Sequence, residues 1–264
     1  MSALAIQYDP ENANCEELAQ RLNLPLISVT DQHPGLLLSY RNNKLTLSQP
    51  MVRDAGAVCV DFCDSRLSFR LAQALSREAV VKAVGGCVPR VSASGTARHL
   101  IDATAGLGQD SFILAAAGWQ VTLIEQSPVI HALLEDGLLR ARDPVSLSRQ
   151  HQRILQETLS RLNLCPAGNS MDMLPSLPPA SVIYLDPMFP AREKAARVKK
   201  NRFLLQHLHG DQGAGEGLLP LALSLSAKVV VKRPRLAQPL DDLLPASSLT
   251  GKTSRFDIYV GNSQ

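Results

Sequence analysis

The stretch His99-Leu100-Ile101-Asp102-Ala103-Thr104-Ala105-Gly106-Leu107-Gly108-Gln109-Asp110 decides the fold of this 264-residue chain. Its first half is a short apolar run that reads as a buried strand, and its second half is a glycine turn opening a helix over Asp110 to Ala117, closed by Gly118. The same alternation continues. Gln120 to Glu125 reads as a strand, Pro128 to Arg140 as a helix with proline in its first turn, and Val145 to Leu162 as another helical stretch. Ser181 to Asp186 and Ala227 to Lys232 read as later strands. None of these strands alternates polar with apolar residues, as expected when helices cover both faces. Strand, helix, strand, helix at this spacing predicts an α/β fold with a doubly wound parallel sheet over residues 96–264. Ser248-Leu249-Thr250 and Phe256 to Val260, around Gly251-Lys252, predict an antiparallel hairpin at the sheet edge.

Upstream, residues 1–95 read as a small α+β module. Ala13 to Leu22 predicts a helix, and Pro25 to Val29, Gly35 to Tyr40, Lys44 to Leu47 and Val58 to Phe62 predict strands. Arg41-Asn42-Asn43 is a hairpin turn. Leu71 to Val84 predicts a helix ended by Gly85-Gly86.

Composition bounds the rest. Apolar residues make up 45% of the chain, enough for a sizeable core, and the net charge is only +3. The longest apolar stretch, Phe112 to Trp119, is about one-third of a membrane span. The N-terminus lacks a basic, secretory-type start, so a cytoplasmic protein is expected. The 5 cysteines are irregularly spaced, and Cys59-x3-Cys63 has no second pair to complete a zinc site. His207-x-His209 also lacks metal spacing, so no metal is expected.

Chemistry concentrates at two strand ends. In an open α/β sheet, ligands bind beyond the carboxyl ends of the strands. The glycine turn lets backbone approach a ligand there, and the following helix points free N–H groups at it. A dinucleotide loop needs a third glycine, but Gly106-x-Gly108 continues into Gln109, Asp110 and Ser111. The loop resembles instead the D-x-x-x-G-x-G form of S-adenosylmethionine-dependent methyltransferases. Glu125, at the next strand end, is a carboxylate able to accept both ribose hydroxyls, a feature that suits either cofactor.

Tyr184-Leu185-Asp186-Pro187-Met188-Phe189-Pro190 closes the later strand and resembles the [D/N]-P-P-[Y/F] motif of base-amino methyltransferases, with Met188 in place of the second proline. Asp186 and the Pro187 carbonyl can accept both hydrogens of an exocyclic amine. Phe189 offers a face for base stacking, worth roughly 1–3 kcal/mol. The charge distribution points to RNA. Residues 191–202 carry Arg192, Lys194, Arg197, Lys199, Lys200 and Arg202 against Glu193, and residues 228–235 carry Lys228, Lys232, Arg233 and Arg235. These runs, including Lys232 and Arg233, are candidates for phosphate contacts.

The strings Asp102 to Gly108, Leu133 to Leu138, Tyr184 to Pro190, Val229-Val230-Val231-Lys232-Arg233-Pro234 and Arg255 to Tyr259 together resemble the bacterial 16S ribosomal RNA guanine-N2 methyltransferase J family. Val60-Asp61-Phe62 and Lys82 to Gly85 add to the match, which runs from about residue 55 to the end. The Asp-Pro-Met-Phe-Pro and Val-Lys-Arg-Pro strings are specific; the glycine loop is widely shared. The resemblance implies a class I, Rossmann-like methyltransferase with a mostly parallel seven-stranded sheet and S-adenosylmethionine as cofactor. It implies methylation of a guanine 2-amino group, with 16S rRNA or the small ribosomal subunit as partner. It places cofactor contacts at Asp102, Gly106, Gly108, Gln109, Asp110, Glu125, Gln126, Asn169, Ser170 and Asp186, and catalysis at Asp186, Pro187 and Phe189. Gln109 and Gln126 stand where relatives commonly carry basic residues. The residues alone also allow the same chemistry on adenine or a protein glutamine, or a non-catalytic RNA-binding factor on this fold.

Overall fold

The computed structural model describes residues 4–12, 14–52, 56–89, 98–144, 148–187 and 217–261. The first part forms β1 (Leu4–Gln7), α1 (Asn14–Leu22), β2 (Leu26–Ile27), β3 (Leu36–Arg41), β4 (Lys44–Ser48) and β5 (Ala57–Val58), and the sheet order is β2-β1-β3-β4-β5. Asn42 and Asn43 turn the β3–β4 hairpin with φ of 51° and 57°, the left-handed values that a two-residue hairpin turn demands. The strand expected at Val58 to Phe62 pairs only through Ala57 and Val58. Val60 and Phe62 are buried all the same, as core plugs beyond the ladder.

The helix expected from Leu71 to Val84 is broken. It becomes α2 (Ser65–Ala72), a single 3-10 turn (Leu75–Arg77) and α3 (Ala79–Val84). Extended backbone at Ala74 and Glu78 makes the break. The Arg70 guanidinium spans it, reaching both oxygens of Glu78 at 3.1 and 2.9 Å. The bend leaves α3 free to bury Val80, Val81, Ala83 and Val84. Gly85, at φ 118°, caps α3, with Gly86 N–H returning to the Val81 carbonyl.

The second part runs β6 (His99–Asp102), α4 (Gln109–Ala116), β7 (Gln120–Leu123), α5 (Pro128–Arg142), α6 (Arg149–Leu159), β8 (Leu162–Leu164), α7 (Ser170–Met173), β9 (Val182–Leu185), α8 (Leu218–Leu225), β10 (Lys228–Pro234), β11 (Ser247–Thr250) and β12 (Ser254–Val260). These strands form a seven-stranded sheet of order β11-β12-β10-β9-β6-β7-β8. Neighbours from β8 to β10 are parallel, and the β11–β12 hairpin is antiparallel at the edge. This is the Rossmann-like, mostly parallel seven-stranded architecture that the resemblance implies. The long helix expected over Val145 to Leu162 is shorter and ends at Leu159, because Leu162 instead begins an edge strand in which Leu162 and Leu164 pair with Val121 and Leu123. Strand β1 and helix α8 were not anticipated.

The strands bury both faces. Leu100, Val121, Leu123, Val182, Tyr184 and Val230 belong to one apolar cluster, while Ile101, Ile183, Leu185, Val229 and Val231 belong to a second. The first cluster also takes Ile6, Leu38, Leu45 and Leu47 from the smaller sheet, so the two sheets share it. Strand β6 has β7 on one side and β9 on the other, and the chain order reverses between them. A crevice at such a switch point is where this architecture binds ligands.

Candidate active site at the switch point

The strand ends deliver carboxylates to that crevice. Asp102 ends β6 and is buried. It accepts hydrogen bonds from Thr104 N–H, at 3.1 Å, and from the Ser111 hydroxyl of α4. Burial pushes its pKa up to about 7, and the nearby charges of Asp110 and Asp186 act in the same direction. The two hydrogen bonds oppose the shift without cancelling it. Thr104 then joins two strands, because its hydroxyl accepts from Asp186 N–H at 2.5 Å.

The glycines have separate reasons. Gly108 sits at φ 70°, and a Cβ there would lie 2.6 Å from Leu134 Cδ1, so both backbone and packing require glycine. Gly106, at φ 55°, meets nothing closer than the Thr104 carbonyl, at 3.9 Å. Its side of the loop is open, as a cradle for a ligand must be. Glu125 holds this loop in place. Its oxygens accept from Gly106 N–H at 2.8 Å and from Ser127 N–H, at the start of α5, at 2.7 Å. Gly168 N–H bonds the Glu125 carbonyl, and the Ser170 hydroxyl bonds the Ala103 carbonyl at 2.5 Å. The segment carrying Asn169 and Ser170 therefore lies against the ends of β6 and β7. Asn169 caps α7, its side chain accepting from Met171 N–H, and is exposed, as are Gln109 and Gln126.

Asp110, in the first turn of α4, meets a second cluster. Its Oδ2 accepts from Tyr184 Oη at 2.9 Å and from Lys232 Nζ at 2.6 Å. The same ammonium reaches Asp186 Oδ2 at 2.8 Å. Burial alone would raise the Asp110 pKa, but Lys232, Tyr184 and Arg70 outweigh it and hold the carboxyl below its usual range. Burial likewise opposes the charge on Lys232, yet its two carboxylate partners win and raise its pKa. Asp186 remains partly open, with 40% of its side chain exposed. Pro187 is buried beside it.

The chain matches, over residues 17–261, the family model described as "Putative SAM-dependent methyltransferase". It is 43% identical to ribosomal RNA small subunit methyltransferase J of Pseudomonas syringae pv. syringae, across 98% of this chain and 90% of the relative. A protein of the same name from Thioalkalivibrio sulfidiphilus is 39% identical, across 97% of each chain. The chain belongs to the ribosomal RNA small subunit methyltransferase J family. A solved structure of a SAM-dependent methyltransferase from Neisseria gonorrhoeae has the same fold, with a TM-score of 0.69 and 30% identity over 99% of this chain and 97% of that one. The family match begins well before residue 55, where the motif strings begin, so it takes in most of the first sheet.

For a methyltransferase J chain, the donor set suits S-adenosylmethionine, a cofactor with a cationic methionine part and a neutral ribose. Asp102 supplies a carboxylate and Gly106 supplies open backbone. Glu125 supplies acceptor oxygens beside the loop, each carboxylate oxygen having more than one acceptor direction. One expectation needs correction. Arg233 is buried, and its guanidinium donates to the Gln238 carbonyl at 2.5 Å. It is not placed as an exposed phosphate contact, because it points to the face opposite Lys232 on the same strand. Lys232 is partly buried and bound to two carboxylates of the site. Phe189, Arg192, Lys194, Arg197, Lys199 and Lys200 lie outside the described residues.

Sequence reasoning missed Thr104 and Ser111 as anchors, Tyr184 as a donor, and the Lys232 bridge. Thr104 and Ser111 stand inside or next to the quoted loop, so their proximity was a usable signal. The Lys232 bridge had none, since it depends on β10 lying beside β9. Among the described residues, no group of three or more His, Cys, Asp or Glu side chains is placed to hold a metal. Also among these residues, no helix is long and apolar enough to cross a membrane.

Proposed function

We infer that this chain transfers a methyl group from S-adenosylmethionine to the 2-amino group of a guanine in 16S rRNA, acting in the cytoplasm on the RNA or on the small subunit. One observation carries the reading: a partly open carboxylate, Asp186, ends β9 beside the glycine loop of β6 at the switch point. The family name of the relatives supports the RNA substrate. The cofactor, when bound, supplies an electrophilic methyl group on a sulfonium. Asp102, the Gly106–Gly108 loop, Gln109, Asp110, Glu125, Gln126, Asn169 and Ser170 are the residues we assign to its binding.

The chain's part is orientation. An exocyclic amine has two donors and a lone pair delocalised into its ring. Asp186 and the Pro187 carbonyl accept the two hydrogens, which turns the lone pair toward the methyl carbon. Asp186 stays a hydrogen-bond acceptor throughout, and the methylated amine gives its extra proton to solvent. Phe189 stacks on the extruded base, and Arg192, Lys194, Arg197, Lys199 and Lys200 neutralise phosphates around it.

The test is incubation with labelled S-adenosylmethionine and either small-subunit particles or 16S rRNA, followed by nucleoside digestion. Label in N2-methylguanosine is expected. Label in adenine or in protein, or intact cofactor binding without transfer, overturns the reading.

A further inference from the structure

Lys232 occupies a position that a phosphate-tracking lysine would not. On β10 it follows Val230 by two residues and so shares its face, the face that carries Tyr184 and is covered by α4. Its ammonium lies between Asp110 Oδ2 at 2.6 Å and Asp186 Oδ2 at 2.8 Å. Tyr184 Oη donates to the same Asp110 oxygen at 2.9 Å. Asp102 repels both carboxylates, and Arg70 of α2 draws on Asp110. Three carboxylates converge here, and Lys232 is the cation bonded to two of them. We propose that Lys232 is a positioning residue for methyl transfer: clamped between α4 and the end of β9, it keeps Asp186 charged, acceptor-only and in register with the cofactor loop.

This rests on reading Asp186 as the acceptor for the substrate amine. A neutral Asp186 would have one oxygen occupied by a proton and would accept the amine poorly. An unclamped one would lose its fixed relation to the loop, and positioning is most of what this reaction asks of the protein.

The test is K232M, with kcat measured at saturating cofactor and RNA across pH. We expect kcat to fall about 10- to 100-fold while the KM for RNA stays within about threefold. The acid limb of kcat should move up by about one pH unit, because Asp186 loses its opposite charge. K232R, which keeps the charge, should return the limb to its wild-type position. Unchanged kcat with a raised RNA KM, and a salt slope of binding smaller by about one, would make Lys232 a phosphate contact and overturn the proposal.

Should K232M melt early, K232Q, neutral and of similar length but polar, carries the same readout. Carboxyl-carbon NMR of the cofactor-free protein, with D186N assigning the signal, gives an answer independent of activity. Asp186 should titrate higher in K232M than in wild type, and an unchanged titration refutes the proposal. If wild type labels no guanine, the substrate reading fails alone, and the NMR titration still decides the role of Lys232.

Discussion

Asp102 and Asp110 flank the glycine loop and respond to burial in opposite ways. Asp110 has a lysine and a tyrosine to answer its charge, whereas Asp102 has only a hydroxyl and an amide. The Asp102 pKa of about 7 is thus raised above its unfolded value. Its contribution to stability is complete below about pH 4 and is lost as pH rises through about 7. The cofactor-free protein should lose stability, on the order of a few kcal/mol, between pH 5 and pH 8 on this account. Urea melts at those two pH values should show the gap shrinking in D102N. Asp110 and Asp61, both lowered, act the other way: their contributions are present above about pH 4 and are lost at more acid pH. A cationic cofactor favours ionised Asp102, so affinity measured by calorimetry should tighten about tenfold from pH 6 to pH 8 in wild type and stay flat in D102N. D186N removes the ionised acceptor, and kcat should fall about 100- to 1,000-fold while calorimetry still detects cofactor binding.

At the scale of elements, the two loop glycines should separate stability from binding. The Cβ of G108A lies 2.6 Å from Leu134 Cδ1 with the backbone left-handed, so a loss of about 2–3 kcal/mol is expected in thermal melts. G106A meets open space and suffers only the left-handed strain, about 1–2 kcal/mol. Its methyl instead enters the ligand's side of the loop, so cofactor affinity should fall more than stability. Equal effects from both variants would contradict the assignment of the open side. The buried strands of the larger sheet were legible because continuous apolar runs between glycines and prolines have few other uses. The break between α2 and α3 was not. No proline or glycine marks Ala74 or Glu78, and the bend follows from where Val80, Val81 and Val84 find their core. Edge strand β8 was hidden for the same reason, since Leu162 continues the helical spacing of Leu155 and Leu159 until β7 is present to pair with it.

For the whole molecule, the seam between the two sheets is built like a core. Gly137 of α5 lies against Val60 so closely that a Cβ would come within 2.4 Å of Val60 Cγ1. Leu45 N–H bonds Asp136 at 3.1 Å, and Arg140 reaches both Asp136 and the Val60 carbonyl. Leu38, Leu45 and Leu47 join Leu133, Leu134 and Leu138 in one cluster, each worth about 1.5–3 kcal/mol on burial. A fragment comprising residues 96–264 would expose this surface and also lack α3. It should be insoluble or molten, without a cooperative thermal transition, and a sharp transition would show the larger sheet to be self-sufficient.

The sequence by itself determined the parallel sheet, the glycine loop, the acid at each of three strand ends and the family. These are local: a strand, its turn and the next helix are contiguous, so their chemistry is written in adjacent residues. Only the tertiary structure decided what those acids do. Lys232 lies far along the chain from Asp110, and pairing β10 beside β9 under α4 converts a residue of a basic run into the cation shared by two carboxylates. Burial then sets Asp102 and Asp110 apart. Desolvation and neighbouring charge depend on what surrounds a group in space, and spacing along the chain carries neither.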